Sequence, residues 1–152
     1  MTYTNDEIKT WMYEHLTTTE DASALIDEQP TVFRKMVLTD KIQPFYESKN
    51  AYGLGKNRLY LKEHVNNLKD NNPVRPISSE EKELQIWMEE NLFGRESACQ
   101  ITDQSPRAFT QSVATNKIIP FFESQRVKLY LKSDLEFYAK NKRVRKKKTD
   151  LK

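Results

Sequence analysis

The chain repeats itself. Residues 7–48 laid on residues 83–124, an offset of 76, pair 18 identical residues. They include Trp11/Trp87, Met12/Met88, Leu16/Leu92, Ala22/Ala98, Asp27/Asp103, Pro30/Pro106, Phe33/Phe109, Val37/Val113, Lys41/Lys117 and Pro44/Pro120. After Ser48 and Ser124 the first copy carries a longer insert, and pairing resumes at Leu59/Leu129 through Lys62/Lys132. One structural unit written twice is the strongest constraint on any fold this chain can adopt. A unit of roughly 70 residues buries only a modest share of its surface, so the two copies are expected to pack together. Between them Asn71 to Ser79 holds Pro73 and Pro76 among polar residues, which blocks both helix and central strand. The division expected is one unit over 1–70, a linker over 71–79, a second unit over 80–139 and a basic tail over 140–152.

Within the first copy, Ile8, Trp11, Met12 and Leu16 fall at helical spacing, with Asn5 or Asp6 as the cap. Thr17 to Thr19 end that helix and cap a second over Glu20 to Ile26, with Ala22 and Leu25 turned inward. Asp27-Glu28-Gln29 is the turn, and Pro30 suits the first position of a third helix, where its missing N–H costs nothing. Val32, Phe33, Met36 and Val37 form the inward stripe, leaving Thr31, Arg34, Lys35 and Leu38 outside. Phe45-Tyr46 and Leu59-Tyr60-Leu61 read as two strands around an insert with Gly53 and Gly55, and Glu63 to Leu68 returns to helix. The second copy follows suit, with Ser105 a better cap than Gln29 and with Arg107, Thr110, Gln111 and Thr115 outward. The order of helices, turn, helix, hairpin and helix is that of a winged helix-turn-helix. The fold class expected is α+β, mainly α, with two tandem winged helix-turn-helix units and short antiparallel β-strands.

Charge is segregated along the chain. Residues 1–76 carry ten Lys+Arg against eleven Asp+Glu, residues 77–139 seven against ten, and residues 140–152 eight against one. Without its tail the protein is acidic, so bulk charge is a poor basis for binding. Inside each copy, however, positive charge gathers on the third helix and wing. Residues 30–62 hold seven Lys+Arg against Asp40 and Glu47, and residues 106–132 hold five against Glu123. Phosphate contacts need charge there. The plainer alternative is an ordinary solvated face. The aromatics at 45, 46, 60, 121, 122 and 130 could stack on bases of a single strand, but strand alternation favours core. His15 and His64 lack partners at metal spacing, and no nucleophile–base pair or phosphate-cradling loop is present, so neither metal, cofactor nor enzymatic activity is expected. The lone Cys99 reads as a small core residue, and with no signal-like or membrane-length segment a cytoplasmic location without membrane contact is expected.

Glu20 to Pro44 followed by Arg58-Leu59-Tyr60-Leu61-Lys62 resembles the winged helix-turn-helix of MerR-type regulators and phage excisionases. Lys41-Ile42-Gln43-Pro44 and Lys117-Ile118-Ile119-Pro120 match that family's Lys-apolar-Pro strand with one extra residue. Asp27 and Asp103 stand where the family has its turn glycine. Two such units, a short linker and a basic tail resemble the small cytosolic DNA-binding proteins encoded with type IV secretion genes on Gram-positive conjugative plasmids. That resemblance implies a pseudo-two-fold internal dimer, with strands near the centre and a helix-turn-helix at each end. It also implies binding of double-stranded DNA in the transfer region and control of transfer genes. Base-edge contacts are then expected from Thr31, Arg34, Lys35, Arg107, Thr110 and Gln111. Phosphate or wing contacts are expected from Lys41, Lys49, Lys56, Arg58, Lys117, Arg126 and Lys128. The tail residues Lys140, Lys142, Arg143, Arg145, Lys146, Lys147 and Lys148 have no apolar periodicity and are expected to be mobile without DNA. A DNA-bending architectural factor of excisionase type is the second DNA-binding reading. An adaptor that meets other conjugation proteins and has no DNA role is the competing class.

Overall fold

The computed structural model describes residues 3–48, 57–124 and 127–141. The first half runs α1 (Asn5–His15), β1 (Leu16–Thr17), α2 (Thr19–Leu25), α3 (Pro30–Leu38), β2 (Tyr46–Glu47), β3 (Arg58–Leu61) and α4 (Lys62–Lys69). The second half repeats the order as α5 (Ser79–Asn91), β4 (Leu92–Phe93), α6 (Arg95–Thr102), α7 (Pro106–Ala114), β5 (Phe122–Ser124), β6 (Val127–Leu131) and α8 (Lys132–Asn141). The architecture is α+β and mainly helical, with two antiparallel three-stranded sheets ordered β1-β3-β2 and β4-β6-β5 among the described residues. No helix among them is long and apolar enough to cross a membrane.

Each half's first helix opens on a capping box. Thr4 takes this role for α1 with Glu7, in place of Asn5 or Asp6, and Ser78 takes it for α5 with Glu81. The chain then becomes extended at Leu16 and Leu92. These residues begin the two-residue strands β1 and β4, which pair Leu16 with Leu61 and Leu92 with Leu131. Two residues carry no alternation to read, so these strands were not foreseen. On α2 the inward residues are Ala22 and Ser23, while Leu25 is exposed. The Ser23 hydroxyl donates to the Thr19 carbonyl at 2.6 Å, which removes the cost of burying it. Helix α8 runs two residues past the boundary expected at 139, taking in Lys140 and Asn141.

The core has three parts. Ala22, Phe33, Ile42, Tyr60 and Val65 form a cluster belonging to the first half. Ala98, Cys99, Phe109, Ile118, Tyr130 and Leu135 form its counterpart in the second. Between them lies a larger cluster drawn from both halves, including Met12, Leu16, Tyr46 and Leu59 with Met88, Leu92, Phe122 and Leu129. The first helix of each half lies against the hairpin of the other. Gln85 of α5 donates to the Phe45 carbonyl at 2.7 Å, and Lys9, its counterpart on α1, holds its ammonium 6.0 Å from the centre of the Phe121 ring. The Tyr46 hydroxyl donates to the Leu92 carbonyl at 2.8 Å. In return Tyr13 stacks on Phe122 with centroids 4.6 Å apart, and its hydroxyl accepts from the Glu123 N–H at 2.9 Å.

The segment joining the halves is clamped by Arg75. Its guanidinium donates to both carboxylate oxygens of Glu81 at 2.7 and 2.8 Å and to Glu63 at 2.6 Å, tying α4 to the first turn of α5. These bonds hold the Glu81 carboxyl at about 2, below the usual 4.5. A carboxyl lowered in the folded state stabilises fully above its ordinary value and loses that contribution as the pH falls through its folded value. Arg75→Ala should therefore cost roughly 1 kcal/mol near neutral pH, a deficit that shrinks between pH 4.5 and about 2. Urea midpoints of both proteins across that interval measure it, and a deficit independent of pH would contradict the assignment.

Candidate nucleic-acid interface

The turns before α3 and α7 set the angle at which each helix leaves its neighbour. Asp27 and Asp103 adopt φ of 57° and 53°, the left-handed conformation that a turn glycine would supply. Asp tolerates it better than most residues with a Cβ. Around each, the chain closes a Schellman pair of bonds. Glu28 donates to the Ser23 carbonyl at 2.9 Å and Asp27 to that of Ala24 at 3.2 Å, while Gln104 donates to Cys99 at 3.0 Å and Asp103 to Gln100 at 3.3 Å. Pro30 and Pro106 then start the helices, and Ser105 accepts from the Ala108 N–H, a cap that Gln29 does not provide. Asp40 and Asn116 repeat the left-handed stop after α3 and α7, with φ of 60° and 61°.

Each of these helices is anchored by one aromatic ring. Phe33 meets Tyr60 edge to face at 4.9 Å, and Phe109 meets Tyr130 in the same way at 4.9 Å. Burial pushes the phenols of Tyr60 and Tyr130 above their usual range, which keeps them neutral. In the second half Ser112 also joins α7 to α8, its hydroxyl 3.0 Å from that of Tyr138, and Gln104 donates to Ser112 at 2.9 Å. The side opposite the anchors is open. Thr31, Arg34 and Lys35 are exposed on α3, and Arg107, Thr110 and Gln111 are exposed at the same positions of α7. Their spacing of three and four residues puts each trio on one helix face.

The trios are not equivalent in freedom. Thr110 accepts from the Arg95 guanidinium at 2.7 Å and donates to the Pro106 carbonyl at 2.8 Å, and Arg95 also donates to that carbonyl at 3.1 Å. Arg95 thus lies beside the first turn of α7, as an exposed cation that sequence reasoning missed. Its counterpart in the repeat is Thr19, so the comparison of copies gave no signal.

Among the backbone-contact candidates, Lys41 and Lys117 are exposed directly after the left-handed stops. Arg58 and Lys128 are instead engaged across their hairpins, Arg58 with Glu47 at 2.9 Å and Lys128 with Glu123 at 3.3 Å. Both pairs lie at directly opposed strand positions. Lys140 is exposed in the last turn of α8. Lys49, Lys56, Arg126, Lys142, Arg143, Arg145, Lys146, Lys147 and Lys148 lie outside the described residues.

Other chemistry finds little support. The six aromatics considered for base stacking, Phe45, Tyr46, Tyr60, Phe121, Phe122 and Tyr130, are all at most 7% exposed. Cys99 is free and buried, and burial raises its thiol above the usual value. No group of three or more His, Cys, Asp or Glu suited to a metal ion occurs among the described residues. Compared with protein-family models, curated proteins and solved structures, the chain gives no match.

The left-handed turn yields a prediction about what orients the exposed helices. Asp103→Val places a branched side chain at φ 53° and should cost about 1–2 kcal/mol more than Asp103→Gly, which meets no such backbone strain. Chemical denaturation of the two variants gives the order, and equal losses would mean the Asp side chain itself holds the turn.

Proposed function

We propose that the chain is a sequence-specific double-stranded DNA-binding protein built from two winged helix-turn-helix units related by a pseudo-two-fold. In this reading it is a repressor or accessory regulator of conjugative transfer genes. The observation that carries the DNA reading is the recurrence of one exposed polar and basic face, 31/34/35 on α3 and 107/110/111 on α7, each behind a left-handed turn and anchored by a buried Phe. The reciprocal contacts between halves support the two-fold, since each half gives its first helix and receives one. The conjugative setting comes from the resemblance to TraN, the small DNA-binding protein encoded with type IV secretion genes on Gram-positive plasmids.

In this reading α3 and α7 enter major grooves about one helical turn apart, roughly 34–36 Å. Arg34 and Arg107 suit guanine edges, and Gln111 suits adenine. Lys41 and Lys117 meet phosphate. Arg95 joins them from the start of α6, releasing or keeping Thr110 as it does so. Arg58 and Lys128 contribute only by exchanging Glu47 and Glu123 for phosphate, so their share of affinity is small. A gel shift with fragments of the chain's own operon tests the reading, and failure to retard any fragment returns the adaptor class to first place.

Two expectations follow from the pairing of unlike heads. One chain should occupy one site, and the site should hold two different half-sites. Arg34→Ala should cost about 1–3 kcal/mol and relax preference in one half only. Binding-site selection on the variant reads this out, and a perfect inverted repeat from the wild-type protein would count against it. The residues after Asn141 are expected to add affinity without sequence preference. Removing residues 142–152 should flatten the dependence of log K on log salt by several units, at about 0.9 per neutralised phosphate. An unchanged slope, or a shifted footprint, would contradict that role.

A further inference from the structure

One exposed side chain of α3 differs in kind from the rest of its face. Leu38 is the last residue of the helix and is 77% exposed, more than any other large apolar residue among those described. A lone exposed leucine means little, since much of any protein surface is apolar. Its position is what sets it apart. The exposed residues of α3 are Thr31, Arg34, Lys35 and Leu38. They stand at i, i+3, i+4 and i+7, which makes one stripe along a helix. From Thr31 to Leu38, at about 1.5 Å per residue, the stripe runs roughly 10 Å, the length of about three base-pair steps.

Leu38 lies inside the stretch already assigned to DNA. Lys35 precedes it on the stripe, and Lys41 follows it across the left-handed stop at Asp40. Thr39 turns its hydroxyl back onto the Lys35 and Met36 carbonyls, at 2.9 and 3.3 Å, which leaves Leu38 as the outward group at this end. The helix is held from its other side. Phe33 belongs to the first-half cluster, and Met36 and Val37 pack against it, while Leu38 stands outside it. At the matching place of α7 stands Ala114, also exposed, with a single methyl.

We propose that Leu38 reads the C5-methyl group of a thymine at the Lys41 end of the first half-site. The inference rests on the DNA reading and adds an apolar determinant to the polar trio. In the major groove thymine is told from the other bases by its methyl group, and an apolar side chain recognises it by contact. Leu38 carries no charge and neutralises no phosphate, so its contribution is insensitive to salt. Ala114 reaches less far, so the contact belongs to one half-site only.

The test uses the full chain and the duplex that binding-site selection returns, the first half-site being the one that Arg34→Ala relaxes. Each thymine is replaced in turn by deoxyuridine, which removes only the methyl. Replacement at one first-half position should weaken wild-type binding about fourfold, the value of one buried methyl. Leu38→Ala should weaken binding to the thymine duplex by a similar factor, lose the response to deoxyuridine at that position and keep the wild-type salt slope. Ala already occupies this place in α7, so the variant should keep the wild-type urea midpoint. A protein that binds its site but ignores deoxyuridine throughout the first half overturns the proposal and leaves the DNA reading standing. So does a selected first half without thymine, or a Leu38→Ala variant as responsive as the wild type. A lowered midpoint marks Leu38 as structural and overturns it too. Failure of the wild-type chain to bind any duplex overturns both readings.

Discussion

Everything in this molecule hangs on the exchange of first helices between the halves. Met12 and Met88 are buried in one cluster to which both hairpins contribute, and Trp11 and Trp87 pack against its edge. Burying a side chain of this size is worth about 1.5–3 kcal/mol, and at the centre it draws on both halves: Trp11 packs on Phe45 of its own half while Tyr13 stacks on Phe122 of the other. Each half keeps a smaller cluster of its own around Phe33 or Phe109. That division of labour has a geometric result. The small clusters fix α3 and α7 on their own halves, while the central cluster fixes the halves relative to each other. The linker adds a further tie between the halves, Arg75 bridging Glu63 of α4 and Glu81 of α5.

The exchange is reciprocal in place and different in chemistry. Gln85 makes a hydrogen bond where Lys9 lies over a ring, and Tyr46 donates a bond that Phe122 cannot. Gly94 shows how closely the halves meet. A Cβ there would come within 2.9 Å of the Asn57 side chain, so the first hairpin presses on the start of α6. Its counterpart Thr18 instead caps α2 with its hydroxyl. The second copy has given up a side-chain cap for close contact, and Arg95 follows directly in the space beside α7.

The sequence made the repeat, the buried aromatics and the helices opened by Pro30 and Pro106 legible, because identity at fixed offset and helical spacing survive without knowledge of contacts. The outward positions of α3 and α7 followed from the same spacing. Features set by other parts of the chain were hidden. Strands β1 and β4 are two residues long and exist only because β3 and β6 pair with them. The ion pairs Arg58–Glu47 and Lys128–Glu123 depend on hairpin register, which the insert in the first copy obscured. The tie between Arg95 and Thr110 joins residues 15 apart through a turn whose angle rests on Asp103. Asp at that position argued against the turn by type, and its own tolerance of left-handed backbone resolved the conflict.

The reciprocal packing of α1 and α5 also bears on how the chain assembles at high concentration. The bonds that close the centre join distant residues, Tyr13 to Glu123 and Tyr46 to Leu92, so each must wait for most of the chain to be present. The same surfaces are chemically open to α1 of one molecule meeting the hairpin of another before the chain has closed. Refolding from denaturant in concentrated solution therefore opens these surfaces to pairing between molecules, and dilution favours pairing within one chain.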